Sequence, residues 1–353
     1  LVGGRFGQEP FLPSEQRLAE YYQASRHTIR RIIEKLLFDG MLIRNANRRL
    51  QINPDQLERV RAGIRSSGPV SLAFAYAAYP DSLISDVTAG LRQYATEHEI
   101  KLQIITSPSG HEPMIRSLEN VSAFGINGIF ILPYFMNEYV NVINRLIASD
   151  VAVLTLSALP GADCGSICSD DFSGAFMAVS RLIAKYDRPV YFWGARDETS
   201  TTQSIYNAWC QAMMEAGFDQ EIPFYRSSYD ACGTNPELWS MENKIEHPTL
   251  LARNFLKKLK FPVSIFAIND YVAQGIYRAA EKLKLRIGSD IMISGFGDLP
   301  MASRLNPPLT SVRSSRTQIG YRAAQTLHQM ITGELTTPVH LRIPMELVER
   351  ASS

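Results

Sequence analysis

Short apolar runs alternate with amphipathic stretches along this chain from Val70 onward. Runs that are apolar on both faces are typical of strands in a parallel sheet, because helices cover both faces of such a sheet. Strands are predicted at 70–76, 102–106, 128–132, 151–157, 190–193, 265–268 and 291–295. Helices are predicted at 83–98, 113–124, 138–149, 176–184, 202–216 and 272–283. The pattern predicts an α/β fold with two doubly wound parallel sheets in tandem.

A different pattern precedes it, at residues 12–33, where two short helices are predicted around a tight turn. Ser14 and Ser25 are predicted N-caps, because a serine oxygen can accept from the first free N–H groups of a helix. The predicted apolar faces consist of Leu18, Tyr21 and Tyr22 in the first helix and Ile29, Ile32, Ile33, Leu36 and Leu37 in the second. Residues 41–43 and 50–52 are predicted to form a hairpin, and residues 54–69 a charged linker that ends in Ser-Ser-Gly-Pro.

The second helix of this segment is basic on its other face. That face carries Arg26, His27, Thr28, Arg30 and Arg31. Arginine reaches guanine edges and phosphates, and serine and threonine bind phosphate oxygens, so this face fits a DNA major groove. A solvated basic face is the alternative. Residues 1–65 hold 12 Lys and Arg against 7 Asp and Glu, whereas the remainder holds 24 against 28. A basic segment on a mildly acidic body favours nucleic-acid binding.

Residues 12–44 resemble the winged helix-turn-helix of the GntR family of bacterial transcription regulators. The matching residues are those at 12–15, Leu18, Ala19, Ser25, Arg26, Thr28, Arg30, Leu36, Gly40 and Ile43. The resemblance implies that Ser25, Arg26, Thr28 and Arg30 contact DNA. Gln16 stands where the family often has arginine, and residues 45–49 replace its glycine-rich wing turn. Arg48 and Arg49 of that turn, with Ser14, complete the predicted DNA-binding set.

Residues 266–300 and 306–334 resemble the regulatory domain of the LacI/GalR family, which is related to periplasmic sugar-binding proteins. The matching residues are Asn269, Asp270, Ala273, Gly275, Gly288, Asp290, Ile291, Gly295, Phe296, Asp298, those at 308–312, and Gly320, with 125–133 and 170–182 further back. A GntR-type head on such a body is similar to arabinose-responsive repressors. The resemblance implies a winged helix-turn-helix domain at 1–53, a linker at 54–69, and a two-lobed, periplasmic-binding-protein-like effector and dimerisation domain at 70–353. Lobe one is predicted at about 70–187 and 311–335, and lobe two at about 188–310 and 336–353.

Effector-binding residues are expected where strands end at the cleft between the lobes. Sugar sites combine polar groups that bind hydroxyls with aromatic faces that stack on the ring. The candidates are Tyr76, Tyr79, Tyr134, Asp171, Phe172, Ser173, Trp193, Tyr229, Asn269, Asp270 and Asp298. For Tyr76, Tyr134 and Trp193 the alternative is a place in the core. For Asp170 or Asp171, and for one of Asn269 and Asp270, the alternative is a helix cap.

Two positions depart from the sugar-binding pattern of this family. Ile205 stands where such members usually carry an arginine that grips ring hydroxyls, and is retained as a candidate for that position. The segment Gly-Phe-Asp-Asp of many members is Gly-Phe-Gly-Asp at 295–298. Each lost group would have made charge-assisted hydrogen bonds. The departures predict an effector that is less hydroxylated than a hexose, or one that is bound by a different set of groups.

The sequence as a whole predicts a ligand-responsive, homodimeric transcription regulator of bacteria, expected to be a repressor. The expected partners are operator DNA and a sugar or sugar derivative, with no membrane. No cofactor or metal is expected, since the four cysteines, at 164, 168, 210 and 232, match no zinc spacing. An α/β enzyme is the first alternative, against which no GxGxxG, GxxxxGK[ST] or Gly-x-Ser-x-Gly motif occurs. The second is an exported sugar-binding protein, but no signal-peptide pattern is visible and we expect the cytoplasm.

Overall fold

The computed structural model describes residues 11–21, 24–38, 42–45, 49–53, 70–77, 82–107, 111–133, 137–195, 200–229, 243–335 and 338–353. The predicted linker at 54–69 lies outside these ranges. Tyr22, Met41, Arg48, Tyr79 and Tyr134 also lie outside them, so the predictions that concern these residues remain predictions.

Two helices and a hairpin form the described part of the head. The helices are α1 (Glu15–Tyr21) and α2 (Arg26–Phe38), and the antiparallel strands are β1 (Leu42–Arg44) and β2 (Leu50–Ile52). Phe11 forms an antiparallel bridge with Gln51, and the Leu12 N–H donates to the Leu50 carbonyl at 2.8 Å. The segment that leads into α1 is therefore tied to the second strand of the hairpin.

The small core of the head lies between its helices. Leu18, Ile29 and Ile33 are buried, as the predicted apolar faces require, and Ala19 is buried beside them. Ile32 was assigned to the same face, and this was wrong, since its side chain is 50% exposed. Neighbouring residues of a helix point about 100° apart, so the spacing that buries Ile29 and Ile33 turns Ile32 towards solvent.

The body follows the predicted alternation. Its helices are α3 (Ser82–Glu97), α4 (His111–Glu119), α5 (Asn137–Ala148), α6 (Asp171–Tyr186), α7 (Ser200–Glu215), α8 (Ile222–Tyr225), α9 (Asn243–Leu256), α10 (Asp270–Lys282) and α11 (Arg316–Thr332). Its strands are β3 (Ser71–Ala77), β4 (Lys101–Ser107), β5 (Gly128–Ile131), β6 (Ala152–Thr155), β7 (Gly165–Ser169), β8 (Val190–Ala195), β9 (Arg226–Tyr229), β10 (Val263–Ala267), β11 (Ile291–Gly297), β12 (Thr310–Ser314), β13 (His340–Ile343) and β14 (Met345–Val348). The predicted α/β class is confirmed.

The first sheet has the strand order β13-β7-β6-β5-β3-β4. Strands β7, β6, β5, β3 and β4 run parallel. A Cβ added at Gly128 in β5 would lie 3.0 Å from side-chain carbons of Ile331 and Leu72. Helix α11 thus packs closely on this sheet, and the glycine makes room for Ile331.

The second sheet has the strand order β14-β12-β11-β10-β8-β9. All its strands except β14, which is antiparallel to β12, run parallel. Its core is built from α6, α7, α9 and α10 packed on the sheet, and Trp209 of α7 is fully buried there. Since parallel strands end at the same edge, the carboxyl ends of β8, β10, β11 and β12 lie along one edge of this sheet.

The chain divides into two compact units, at positions that differ from the lobe bounds that the resemblance implied. Unit 1 comprises Leu1–Pro80, Thr88–Ser166 and Gly320–His340, and unit 2 comprises Asp81–Val87, Ile167–Ile319 and Leu341–Ser353. The sequence placed the first long crossover near 187–190, after α6. It falls instead between 166 and 167, because α6 buries Ala175, Val179 and Leu182 in the core of the second sheet. The later crossovers, predicted near 310–315 and 335–338, lie at 319/320 and 340/341.

Candidate DNA-binding and effector sites

Both predicted N-caps of the head are confirmed. The Ser14 hydroxyl accepts from the Arg17 N–H at 3.3 Å, at the start of α1. The Ser25 hydroxyl accepts from the Thr28 N–H at 3.1 Å and lies 2.8 Å from the Thr28 hydroxyl. The two hydroxyls therefore face the same side of the first turn of α2, on its exposed surface.

The predicted basic face of α2 points to solvent. Its members Arg26, His27, Thr28, Arg30 and Arg31 are all exposed. Arg30 differs from the others, because its guanidinium pairs with the Glu15 carboxylate of α1 at 3.1 Å. The Arg30 and Glu15 side chains are 63% and 34% exposed, and an exposed pair of this kind contributes about 0.2–1 kcal/mol. A DNA phosphate would therefore compete with Glu15 for Arg30.

The turn of the hairpin is closed by Asn45. The Arg49 N–H donates to the Asn45 side-chain oxygen at 2.9 Å, and the Asn45 N–H donates to the Arg49 carbonyl at 3.0 Å. The Arg49 guanidinium lies 5.8 Å from the centre of the Phe11 ring. Arg49 is exposed beside the base of the turn, whereas Arg48 lies outside the described residues.

In unit 2, Asp270 is a fully buried carboxylate at the edge where β10 ends. Its Oδ1 accepts from the Ser311 hydroxyl at 2.6 Å, and its Oδ2 accepts from the Leu299 N–H at 2.6 Å. Burial raises the pKa of Asp270 to about 6, against the effect of these hydrogen bonds. A Cβ at Gly295 would overlap Asp270 Oδ1, so only glycine leaves room for this carboxylate. Asp270 thus fastens the loop after β11 and strand β12 to α10.

The side chains of Asn269 and Asp298 also bind to other groups of the protein. The Asn269 side chain caps α10, accepting from the Val272 N–H at 2.9 Å, so the helix-cap alternative holds for this residue. The Asp298 carboxylate lies 2.7 Å from Arg313 Nε and 2.7 Å from Arg350 Nη1. Its side chain is only 5% exposed. Two arginines therefore hold this carboxylate, its Oδ1 is buried without a hydrogen bond, and the role of Asp298 as an effector contact remains a prediction.

Asp170 and Asp171 have different environments at the start of α6. Asp170 is the cap, accepting from the Ser173 N–H at 3.2 Å and from the Ser173 hydroxyl at 2.7 Å. Burial raises the pKa of Asp171 to about 7, although a hydrogen bond from Thr201 and the charge of Arg342 both lower it. Ser173 is thus occupied by the cap. Asp171 is therefore the member of this pair whose carboxyl group can change its protonation near neutral pH.

The stability of the protein should depend on pH through Asp171. An unfolded aspartate has a pKa near 3.8, so between pH 3.8 and about 7 the folded state holds a proton that the unfolded state has released. Stability is therefore lost as pH rises through this window. Asp171→Asn should remove that loss and raise the free energy of unfolding by about 2–4 kcal/mol at pH 8, with little gain at pH 4. Urea unfolding from pH 4 to 9 measures this, and an equal effect at both ends of the range would contradict it.

The apolar candidates belong mostly to the core. Trp193 is 2% exposed and stacks on Phe255 with ring centres 4.4 Å apart, and Ile205 is also 2% exposed. Both are packed in the core of unit 2, which for Trp193 is the core alternative, and their roles as effector contacts remain predictions. Phe172 is half-buried and packs against the same core. Tyr76, near the end of β3 in unit 1, is half-buried beside Phe74.

For the candidates Tyr229, Tyr79 and Tyr134, the role in effector binding remains a prediction from the sequence. Tyr229 is the last residue of β9, and Tyr79 and Tyr134 lie outside the described residues. Within the described ranges, no group of three or more His, Cys, Asp or Glu residues is arranged to hold a metal ion. No helix in the same ranges has the length and apolarity to cross a membrane.

The sequence missed Arg316, Ser311 and Thr201. Ser311 links the candidates, because its hydroxyl donates to Asp270 and accepts from the Asp298 N–H at 3.1 Å. Arg316, the first residue of α11, donates to the Gly297 carbonyl at 3.3 Å and lies 3.9 Å from the Asp86 carboxylate. Its position just after β12 was the available signal, since polar residues that follow parallel strands meet at one edge.

These features define a class of protein: an α/β body of two mainly parallel sheets with polar groups at one sheet edge, preceded in the chain by a head of two helices and a hairpin. A family model for a periplasmic binding protein-like domain matches residues 180–353. The arabinose metabolism transcriptional repressor of Geobacillus stearothermophilus is 22% identical over 344 residues, which cover 94% of this chain and 88% of that repressor. The lactose operon repressor of Rhizobium radiobacter is 37% identical over 92 residues, which cover 26% of this chain and 80% of that sequence.

A solved structure of the lac repressor dimer, bound to operator and the anti-inducer ONPF, has the same fold. It superposes with a TM-score of 0.66 at 19% identity and covers 84% of this chain and 98% of that one. The chain belongs to the LacI/GalR family of repressors.

Proposed function

We propose that this chain is a bacterial DNA-binding repressor whose operator affinity is set by a sugar or sugar derivative bound at the carboxyl edge of the second sheet. The observation that carries the proposal is the exposed basic face of α2 on the same chain as a periplasmic-binding-protein-like body. A ligand regulates DNA binding only as far as it binds two states of the protein with different affinities. The protein acts as a regulator and not as an enzyme.

The head is, in this proposal, a winged helix-turn-helix of the GntR type. The β1–β2 hairpin directly after α2 supports this assignment, as do the matching residues at 12–15, Ser25, Arg26 and Thr28. The arabinose metabolism repressor aligns with 94% of this chain, which is more than residues 70–353 alone can supply. In the complex, Arg26, His27, Arg31 and the Ser25 and Thr28 hydroxyls contact DNA, with Ser14, Arg30, Arg48 and Arg49 reaching the backbone.

The domain organisation follows from the same proposal. Residues 1–53 form the head, 54–69 the linker, and 70–353 the effector-binding and dimerisation domain. A homodimer places two heads on half-sites about one helical turn apart. The lac repressor, which shares the fold, binds its operator as a dimer. Operator DNA and the effector are the partners, and the cytoplasm is the compartment.

Selection of DNA by the full-length protein tests this function. The protein is mixed with a pool of random duplexes at about 100 mM salt, and bound DNA is sequenced through several rounds. We expect enrichment of an inverted repeat, and binding to it that weakens linearly with the logarithm of salt concentration. Failure of a folded sample to enrich any sequence would reject DNA binding. If an operator is found, a panel of sugars and sugar derivatives is titrated, and no change in affinity with any of them would reject effector control.

A further inference from the structure

Two helices of unit 1 meet through a cluster of tyrosine and histidine rings. Tyr94 lies in α3 and His98 directly after it, whereas Tyr321 and His328 lie in α11. The Tyr94 and His98 rings stack with their centres 4.1 Å apart, and Tyr321 meets Tyr94 edge-on at 5.1 Å. The centre of the His328 ring lies 6.0 Å from that of Tyr94 and 5.8 Å from that of His98. Two titratable imidazoles therefore lie side by side where the helices meet.

One hydrogen bond in this cluster depends on the protonation of an imidazole. The Tyr94 hydroxyl lies 3.1 Å from His328 Nδ1, and it has no other hydrogen-bond partner among the described residues. Burial raises the pKa of Tyr94, so this hydroxyl keeps its proton and donates it to Nδ1 of the neutral imidazole. A protonated His328 carries a hydrogen on Nδ1 and cannot accept. Tyr94 is only 4% exposed, so turning its hydroxyl to accept instead would leave a buried proton without a partner, which is costly.

The surroundings of His328 also oppose its protonation. Burial and the nearby His98 both lower the pKa of His328, and together they outweigh Glu334, which raises it. Glu97 is already used, because its Oε2 accepts from the Tyr321 hydroxyl at 2.9 Å and its Oε1 accepts from the Gln93 amide at 3.0 Å. The charged and titratable groups that act on the cluster are thus Glu97 and His98 from the end of α3, Arg322 from α11 and Glu334 after it.

We propose that Tyr94, His98 and His328 form an acid-sensitive contact between α3 and α11, which is intact while His328 is neutral and weakens when His328 binds a proton. The proposal is independent of DNA and effector binding. An unfolded histidine has a pKa near 6.5, whereas that of folded His328 is lower, so just below pH 6.5 the unfolded state binds a proton that the folded state does not. The stability that the contact contributes is therefore complete above pH 6.5 and is lost as pH falls from there through the folded pKa.

Nuclear magnetic resonance of the full-length protein with isotope-labelled histidines tests the proposal. The chain has six histidines, and the signal that disappears in His328→Gln is that of His328. We expect this signal to titrate with a midpoint below that of histidine in the urea-unfolded protein. Tyr94→Phe removes the donor to the neutral ring and His98→Gln removes the neighbouring imidazole, so each variant should raise the midpoint of His328. The control is His340→Gln, which replaces the histidine of β13 beside Ser166 and should leave this midpoint unchanged.

Urea unfolding at pH 7.5 and pH 5.5 then connects this protonation to stability. Glutamine does not titrate, and its amide oxygen can still accept from the Tyr94 hydroxyl. We therefore expect the midpoint urea concentration to fall further between the two pH values in the wild type than in His328→Gln. Asp171, whose raised pKa acts in the opposite direction, is present in both proteins, so its effect cancels in the comparison.

Any of three results would overturn the proposal. The first is a midpoint of His328 at or above that of the unfolded protein. The second is a midpoint that a folded Tyr94→Phe or His98→Gln variant leaves unchanged, and the third is an equal fall of the urea midpoint in the wild type and in His328→Gln. Thermal unfolding at pH 7.5 shows which variants are folded. His98 is exposed, so His98→Gln keeps the test decisive if the buried Tyr94 does not tolerate replacement.

Discussion

Replacing Trp209 with alanine should lower the free energy of unfolding by about 3–5 kcal/mol. Trp209 is fully buried in unit 2, and its ring centre lies 5.5 Å from that of Phe192 and 5.6 Å from that of Tyr206. Its indole N–H donates to the Val190 carbonyl at 2.8 Å. Alanine would leave a cavity and would also remove the donor from a buried carbonyl, so the two losses add. Urea unfolding followed by circular dichroism measures the change.

Two further variants separate these contributions. Trp209→Phe keeps an aromatic ring but removes the donor, and should cost clearly less than alanine. Met214→Ala lies on the same helix with its side chain 59% exposed, and should change stability by no more than about 0.5 kcal/mol. If Trp209→Ala lost less than about 1 kcal/mol, the indole would not be the packing centre of this core.

Local patterns in the sequence were enough to predict most of the elements. The alternation of apolar runs and amphipathic helices depends on residues a few positions apart, and so do the caps made by Ser14 and Ser25. The hairpin was predicted from two short apolar runs, and β1 and β2 pair with Leu42 opposite Ile52. The first turn of α6 was missed, because the helix begins at Asp171, five residues before the apolar stretch at 176–184 that was used to predict it.

The candidate effector site was predicted less well, because its contacts join residues that are far apart in the sequence. Asp298 follows a strand as predicted, but its partners Arg313 and Arg350 come from β12 and from the end of the chain. A place in the core was the alternative kept for Trp193, whereas the burial of Ile205 was not predicted. The resemblance pointed to the segments after β10 and β11, whereas the contact of Arg316 with the Gly297 carbonyl depends on the fold.

The points at which the chain crosses from one unit to the other were also not predictable from local patterns. A helix such as α6 is amphipathic whichever sheet it covers, so its sequence does not tell which core receives Ala175, Val179 and Leu182. The resemblance placed the crossover after this helix, and the packing places it before. The assignment of α6 to unit 2 places Asp171, a candidate effector-binding residue at the N-terminus of this helix, in unit 2.

Replacing Arg26 and Arg31 together with alanine should weaken operator binding by about 100-fold or more. Both side chains are exposed on α2, and each contact to a base or phosphate is worth about 1–3 kcal/mol. Their loss should also reduce the slope of log affinity against log salt by about 2 if both contact phosphates, because fewer counterions are released on binding. Fluorescence anisotropy with a selected operator measures both quantities, and effector binding should stay unchanged because the head does not form the effector site.

A control of equal charge comes from the body. Arg253→Ala with Lys257→Ala also removes two exposed positive charges, one in α9 and one just after it. If the α2 face contacts DNA, this pair should change operator affinity by less than about threefold, because α9 is not part of that face and a charge that makes no DNA contact is screened within about 10 Å at 0.1 M salt. Equal losses in the two double variants would mean that net charge, not the α2 face, drives binding, and would remove the major-groove assignment of α2.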